Sequence, residues 1–267
     1  MKALEAEDPP PERQPALTAA FLKEMLELCD EQEERCVHTA ELIAAAFFFA
    51  MRACEFVRTS RPGKTKQIEI RDVTFRDRNK QKVQQSDPRL SEKARFVTIC
   101  FRDQKNGKRM DTRSHTVSGD PLLCPVKLWI KVVKRARKVS TDSRTRVSIC
   151  PDGDEDVEIK DSDVTRYLKA TLGVIGHDHP SLDPKKIGTR SIRSGAAMAL
   201  FMKNHHVERI KILGRWSSDA FLIYIRPQIL EWTNLMAEHM AKASDMTDGR
   251  VIAPEDPQPG ASMPAFL

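Results

Sequence analysis

The sequence lacks a hydrophobic run long enough to cross a bilayer. Its longest nearly uncharged apolar stretch is 44–51, whereas a membrane-spanning helix needs about 18 or more apolar residues in succession. Residues 1–8 contain no apolar stretch of the kind found in a secretory signal, so we expect no signal peptide. These absences predict a soluble, intracellular globular protein that has no contact with a membrane.

The cysteines are few and follow no metal-site pattern. None of them forms a C-x-x-C pair, and their spacing is uneven. Zinc sites and disulfide frameworks use closely spaced or regularly repeated cysteines, so we expect neither of them, and we expect a reducing compartment. The six cysteines are Cys29, Cys36, Cys54, Cys100, Cys124 and Cys150.

The net charge is modest overall but unevenly distributed. The chain has 44 Lys and Arg against 38 Asp and Glu, a net charge of +6. Residues 1–16 and 243–267 are acidic, so the intervening segment 17–242 carries +11. A basic body favours a polyanionic partner such as nucleic acid, although a well-solvated surface explains it equally well.

Proline-rich ends bound the region that we expect to fold. Residues 1–16 and 243–267 have too few apolar side chains to offset the entropy lost on ordering, so we predict disordered tails there. The folded body is then a single domain over 17–242. No internal repeat divides it.

Apolar periodicity predicts a mostly helical body. A helix is expected over 17–29, and a second, apolar on nearly all sides and therefore central, over 38–52. Further helices are predicted over 125–138, 163–174, 191–203, 207–213, 219–225 and 228–241.

One small antiparallel sheet is also predicted. Alternating apolar residues over 68–75 indicate a strand, and the run 96–101 indicates a stronger one. Asn106-Gly107 favours a tight turn, which predicts a strand–turn–strand unit over 94–117. Residues 79–93 are predicted to form a long loop. The predicted fold class is therefore α+β, mostly α, with a small antiparallel sheet.

The predicted helix over 125–138 carries cations with no acidic residue between them. A solvated charged face explains this pattern, and a surface that follows phosphates explains it better. The candidate DNA-binding residues on this face are Lys127, Lys131, Lys134, Arg135 and Lys138.

Strongly cationic residues also stand beside apolar helical sequence, where an unpaired charge costs free energy. Arg52 follows a run of Ala and Phe, and Arg193 lies among small residues that allow close approach to the backbone. Arg215 follows Leu213-Gly214. Tyr224, one of only two tyrosines, lies nine residues after Arg215.

Taken in order, these residues resemble the motifs of the tyrosine recombinase (phage integrase) family. The first motif of that family has an arginine followed three residues later by Glu or Asp, which matches Arg52 and Glu55. The second is His-x-x-Arg, which stands here as Arg190-Ser191-Ile192-Arg193. The third is Leu-Gly-His or Leu-Gly-Trp with a nucleophilic tyrosine nine residues later, which stands here as Leu213-Gly214-Arg215 and Tyr224. Each motif alone is weak, and the ordered set over about 40–240 is specific.

The resemblance implies a catalytic lysine on a β-hairpin between the two arginine motifs. Lys105 is the better match to that position and Lys108 the alternative, and Lys108 is otherwise a candidate DNA-binding residue. The sequences of 46–52 and 214–221 look most like recombinases of eukaryotic mobile elements of the DIRS or Crypton kind. That narrower likeness implies a nuclear location in a eukaryote.

The family's chemistry implies a role for each residue. Arg52 and Arg193 would bind the non-bridging oxygens of a DNA phosphate, and Tyr224 would attack it to give a 3′-phosphotyrosine and a free 5′-hydroxyl. Lys105 would protonate the leaving oxygen. The covalent bond conserves the energy of the phosphodiester, so the resemblance implies no cofactor and no metal.

Two positions depart from the family pattern. Arg190 and Arg215 stand where the family has histidine, or histidine or tryptophan, and arginine cannot accept the proton of Tyr224 because of its very high pKa. A neighbouring group or water would have to accept it. Trp216 supplies the aromatic contact if the turn is shifted by one residue. Arg190 and Arg215 are equally interpreted as contacts to the DNA backbone.

Each site residue also has an ordinary structural interpretation. Arg52 and Glu55 form a common i,i+3 ion pair, Tyr224 fits a half-buried helix position, and hairpin turns attract lysines. The motif order is what favours the catalytic interpretation.

Three functional interpretations follow. The first is DNA cleavage and rejoining for recombination or integration. The second is a decayed or co-opted protein of the same fold that binds DNA without cutting it, and the third is relaxation of the type IB topoisomerase kind. The family's N-terminal DNA-clamping domain is expected to be absent or reduced. The apolar stripe over 229–240 is expected to pack on its own domain or, as in the family, on a neighbouring subunit on DNA.

Overall fold

A central helix, α2 (Glu34–Phe48), organises the fold. In the computed structural model, which describes residues 14–30, 32–60, 63, 65–104 and 107–217, every side chain from 38 to 47 is buried. Helix α1 (Ala19–Glu27) packs on it and begins at Thr18, whose Oγ1 accepts a hydrogen bond from Phe21 N. The prediction of a central apolar helix is confirmed.

The end of α2 differs from the predicted boundary at residue 52. The helix ends at Phe48 because Ala50 adopts a left-handed conformation, with φ of 44°, and Met51 N donates back to Ala46 O. Arg52 consequently precedes a separate short helix, α3 (Ala53–Phe56). The arginine therefore lies at the beginning of a helix and not at the end of one.

The sheet has four antiparallel strands, which are β1 (Val73–Arg76), β2 (Lys82–Val83), β3 (Phe96–Asp103) and β4 (Arg109–Thr116), in the order β2-β1-β3-β4. The predicted strand–turn–strand unit is confirmed, and Gly107 in its turn has a φ of 78°. Two predictions were wrong. Residues 70–72 form a 3-10 turn capped by Asp72, so the first strand begins only at Val73. The predicted loop over 79–93 contains a strand paired with β1 and a short helix, α4 (Leu90–Lys93), that buries Leu90.

Four further helices and a hairpin complete the described fold. Helix α5 (Pro125–Val139) begins with proline, which lacks the N–H that a first helical turn leaves unpaired. It packs against α2, the sheet and a hairpin that we did not predict, made of β5 (Ile149–Asp152) and β6 (Glu155–Glu158). The remaining helices are α6 (Asp161–Ile175), α7 (Thr189–Met202) and α8 (Val207–Gly214), all within two residues of their predicted bounds.

The predicted helices over 219–225 and 228–241 lie outside the described residues, as do residues 1–13 and 243–267. The predicted tail over 1–16 is too long, because the chain already contacts α7 from Gln14 onward. All of the described residues belong to one compact unit. Among them, no helix is long and apolar enough to cross a membrane.

Candidate active site

Three of the predicted site arginines line one open cleft. Arg52 reaches it from the turn before α3, and Arg190 and Arg193 reach it from the first half of α7. The cleft has a volume of about 410 Å³, and none of the described residues that line it is acidic. Segments far apart in the sequence therefore bring three arginines to one surface. Its other lining residues are Met51, Ala53, Cys54, Thr59 and Thr189.

Glu55 holds the side chain of Arg52 in place. Its Oε1 accepts from Arg52 Nη1 at 2.9 Å, and its Oε2 accepts from Arg52 N at 2.8 Å. The Glu55 side chain is fully buried, whereas the Arg52 side chain remains 24% exposed. Glu55 thus holds one edge of the Arg52 guanidinium, while part of the Arg52 side chain stays exposed to the cleft.

Arg193 is the most enclosed of the cleft arginines. Its Nη1 donates to Ala50 O at 2.6 Å and its Nη2 donates to Gly214 O at 2.5 Å. The guanidinium carbon lies 4.1 Å from the centre of the Trp216 ring. Arg193 therefore joins the turn that follows α2 to the end of α8.

The end of α8 explains why glycine precedes Arg215. Arg215 adopts a left-handed conformation, with φ of 58°, which turns the chain so that Trp216 folds back over Gly214. A Cβ on Gly214 would lie only 1.6 Å from a carbon of the Trp216 ring. Only glycine leaves room for this arrangement. The aromatic contact to Arg193 comes from Trp216.

Arg215 is buried and is not among the described residues that line the cleft. Its Nη2 donates to Glu55 Oε2 at 2.6 Å and its Nη1 to Phe49 O at 3.0 Å. The guanidinium carbon lies 3.6 Å from the centre of the Phe101 ring on β3. Burial lowers the pKa of Arg215 from its usual value, which the charge of Glu55 counteracts. These contacts join Arg215 to Glu55 and the sheet, and a phosphate-binding role for it stays a prediction.

Arg190 lies exposed near the beginning of α7. Gly188 precedes this helix and has no side chain to accept from its first N–H groups. Gln14 supplies that acceptor, since its Oε1 receives the hydrogen bond of Arg190 N at 2.8 Å. Leu17 N also donates to Ser191 O at 3.0 Å. The chain before α1 thus fixes the helix that carries Arg190 and Arg193.

Gly195 on α7 allows the backbone at Leu17 to approach this helix closely. A Cβ at this position would lie 2.3 Å from Leu17 O. The small residues around Arg193 therefore admit the backbone that precedes α1, as the sequence predicted.

Lys105 and Tyr224 lie outside the described residues, and Lys108 is exposed at the β3–β4 turn. The hairpin itself reaches the end of α8, because Arg113 Nε on β4 donates to Ile212 O at 2.7 Å. The hairpin is thus anchored to the same helix end that Arg193 contacts.

The cationic face of α5 is largely neutralised. Arg135 Nη1 and Lys131 Nζ lie 2.6 and 3.1 Å from the carboxylate of Glu41, and Lys138 Nζ lies 2.6 Å from Glu34 Oε1. Both acids belong to α2, so the absence of acids within α5 was a poor guide to the charge of the surface. Lys127 and Lys134 are exposed, and no ion pair involves them within the described part of the chain. DNA binding by this face stays a prediction.

Two contributors to the site were missed from the sequence. Gln14 was assigned to a disordered tail, and no local pattern marks it. Glu55 was recognised as a partner of Arg52, but its second partner, Arg215, is distant in sequence. Within the described ranges, no three His, Cys, Asp or Glu side chains form a group that could hold a metal ion.

Comparison with known proteins shows the fold. No protein-family profile and no curated protein sequence matches the chain. XerH site-specific recombinase bound to difH substrate in a pre-cleavage complex is 14% identical with a TM-score of 0.51, over 80% of this chain and 51% of XerH. The post-cleavage complex of XerH with palindromic difH is 16% identical with a TM-score of 0.54, over 85% of this chain and 54% of XerH.

The chain thus spans about half the length of the XerH chains. At these identities the likeness shows the fold alone, which is that of a tyrosine recombinase catalytic domain. The predicted fold class, α+β with a small antiparallel sheet, is confirmed.

Proposed function

We propose that this chain cleaves and rejoins DNA through a covalent 3′-phosphotyrosyl intermediate, the chemistry of site-specific recombination or integration. The cleft that brings Arg52, Arg190 and Arg193 together is the observation that carries the proposal. XerH, whose fold is similar, is a site-specific recombinase crystallised with its DNA substrate. Two observations therefore support the proposal, which are the arginine-lined cleft and the similarity in fold to a site-specific recombinase.

The cleft suits a phosphodiester because guanidinium groups donate paired hydrogen bonds that match phosphate oxygens. In the proposed reaction, Arg52 and Arg193 neutralise the two non-bridging oxygens as charge develops on them. Arg190, exposed at the rim, donates to the same phosphate. Arg215 acts through Glu55 and Arg52 as a positioning residue.

Tyr224 and Lys105 carry the covalent step in this proposal. The Tyr224 oxygen forms a bond to phosphorus, the bond from phosphorus to the 5′ oxygen breaks, and Lys105 transfers a proton to that oxygen. Rejoining reverses the sequence, since the free 5′-hydroxyl attacks the phosphotyrosine. The proton of Tyr224 passes to water or to a group outside the arginine cluster, because arginine cannot accept it.

A second function is favoured by the state of Arg193. Both of its Nη atoms donate to backbone carbonyls, and its face is covered by Trp216. A guanidinium held in this way supports a protein of the same fold that binds DNA without cutting it. Under that alternative, the cleft holds a phosphate that is never attacked.

A nicked-duplex trapping experiment tests the proposal. The full chain is incubated with a pool of nicked duplexes whose sequence around the nick is randomised, so that no target need be known. Cleavage beside a nick releases a short strand and traps the covalent protein–DNA adduct, which denaturing electrophoresis detects. We expect an adduct with the wild type that is lost in Tyr224→Phe.

Tyr167→Phe is the matched control. Tyr167 lies on α6, where its hydroxyl is 3.0 Å from Cys29 Sγ, and we expect this variant to keep the adduct. DNA binding with no adduct would favour the binding function. Relaxation of a supercoiled plasmid without strand exchange would favour the topoisomerase alternative.

A further inference from the structure

A second positively charged cleft adjoins the candidate active site. It has a volume of about 710 Å³ and includes both the residues that follow α3 and the N-terminal half of α6. Thr59 lines this cleft and also the cleft that holds Arg52 and Arg193, so the two form one continuous surface. Its cationic residues, which we call the α6 track, are Arg58, Lys160, Arg166 and Lys169.

The α6 track is attached rigidly to the active-site cleft. Arg58 N donates to Ile159 O at 3.2 Å, and Asp161 N donates to Arg58 O at 2.9 Å. These bonds join the chain that leaves α3 to the beginning of α6. Since Arg52 directly precedes α3, the same backbone fixes Arg52 and the track relative to each other.

The track keeps most of its positive charge. Asp161 is the one acid among the described lining residues. Arg166 lies 3.4 Å from Asp163 and is 74% exposed, and Arg58 lies 3.7 Å from Glu158 and is 62% exposed. Exposed pairs at such distances contribute little. Asp163 and Glu158 are also shared with Arg35 and Arg146 respectively.

The α5 face differs in this respect. There, Glu41 is buried and accepts from both Lys131 and Arg135 at hydrogen-bonding distance. Cations that already have buried partners have less charge to offer a phosphate. On α5, only Lys127 and Lys134 are exposed without an ion pair among the described residues, whereas the α6 track presents four exposed cations beside the arginine cleft.

We propose that the α6 track binds the phosphates that flank the scissile phosphate, so that duplex DNA leaves the cleft along α6 and not along α5. From Asp161 to Lys169 the helix rises about 12 Å, and phosphates on one strand follow at about 3.4 Å along the duplex axis. The track therefore spans about three or four phosphates. Contacts of this kind position DNA without reading its sequence. This inference rests on the proposed function.

Salt-dependent DNA binding tests the track. The full chain is titrated with a fluorescent duplex of about 30 base pairs and mixed sequence, in several salt concentrations. For the double variant Arg166→Gln with Lys169→Gln, we expect the slope of log K against log salt to fall by about 2, since each lost phosphate contact removes about 1. Affinity at low salt should fall on the order of tenfold.

A matched variant controls for the loss of charge. Arg78→Gln with Lys82→Gln also removes one arginine and one lysine from exposed positions, at the β1–β2 edge of the sheet. This edge is opposite β4, the strand that contacts α8. We expect its slope to match the wild type. Unfolding of each variant by heat verifies that the fold is intact.

The outcomes separate the two proposals. Suppose that the wild type binds DNA and that the slope of log K against log salt changes equally in the α6 variant and in the control, or in neither. The track is then wrong, while the proposed function stands. If the wild type binds no duplex at any salt concentration, both are wrong. A fall confined to the α6 variant supports the track.

Discussion

The guanidinium of Arg193 lies over the ring of Trp216, with 4.1 Å between the guanidinium carbon and the ring centre. An indole face attracts a cation and also limits the planes that the guanidinium can adopt. Trp216 is brought there by the left-handed turn at Arg215. The backbone conformation of Arg215 thus sets the position of the Trp216 ring against Arg193.

We expect Trp216→Leu to slow formation of the covalent adduct about tenfold, because a partly buried cation–π contact is worth about 1–2 kcal/mol. Trp216→Phe keeps an aromatic face and should recover most of the rate. Single-turnover kinetics on nicked duplexes measure both. Equal rates for the Leu and Phe variants would contradict an orienting role for the ring.

Gly214→Ala should reproduce the effect of losing Trp216. An added Cβ would lie 1.6 Å from the ring and would force it away from Arg193. Because both substitutions act on one contact, the double variant with Trp216→Leu should be no slower than the slower single variant. If the two single effects on the rate multiply in the double variant, Gly214 acts on something other than the contact between Trp216 and Arg193.

Glu55→Gln should destabilise the fold by about 3 kcal/mol. The change leaves the buried guanidinium of Arg215 without its counter-charge, and it replaces one of the two carboxylate oxygens that accept from Arg52 with an NH2 group. Adding Arg215→Met removes the stranded charge, so the double variant should be less destabilised than the two single effects together. Urea unfolding measures each free energy.

An exposed ion pair provides the comparison. Arg89 and Glu92 lie 3.9 Å apart and are 66% and 75% exposed. Glu92→Gln should cost less than about 1 kcal/mol. Similar losses for Glu55→Gln and Glu92→Gln would contradict the account of the buried network.

Buried His38 should make stability depend on pH. Its Nε2 lies 2.9 Å from Val147 O and its Nδ1 faces Arg135, which also pairs with Glu41. Burial and the charge of Arg135 lower the pKa of His38 from 6.5 to about 3. The unfolded chain therefore binds a proton below pH about 6.5 that the folded chain does not bind, and folding loses roughly 1 kcal/mol per pH unit as pH falls further toward 3.

His38→Gln removes this titration. Compared with the wild type, the unfolding free energy of this variant should fall less between pH 6.5 and 5. The exposed residue His177 serves as the control, and His177→Gln should follow the wild type. An unchanged pH dependence in His38→Gln would contradict the buried neutral imidazole.

Local sequence patterns predict single helices and strands better than they predict where those elements end or what they contact. Helix α2 was recognisable because it is apolar on nearly all sides, and the β3–β4 hairpin because its turn contains Gly107. The end of α2 was not recognisable, because nothing in the sequence marks Ala50 as a residue that adopts a left-handed conformation. The β5–β6 hairpin had a signal in Asp152-Gly153, where Gly153 has a φ of 64°, and that signal was overlooked.

Contacts between distant segments were beyond the sequence patterns. The motif order singles out Arg52, Arg190 and Arg193 as site residues, and these three line one cleft. The burial of Arg215 depends on Glu55 and Phe101, and the neutralised α5 face depends on acids from α2. Periodicity describes one element at a time, so it cannot place charges from two helices against each other.

Mapping the covalent bond tests the central claim most directly. The adduct from the randomised nicked duplexes is digested with protease and nuclease, and the modified peptide is sequenced by mass spectrometry. We predict a nucleotide linked through its 3′-phosphate to Tyr224, together with a free 5′-hydroxyl on the released strand. A link to Tyr167 or to any other residue, or the absence of an adduct while duplex binding is intact, would contradict the account.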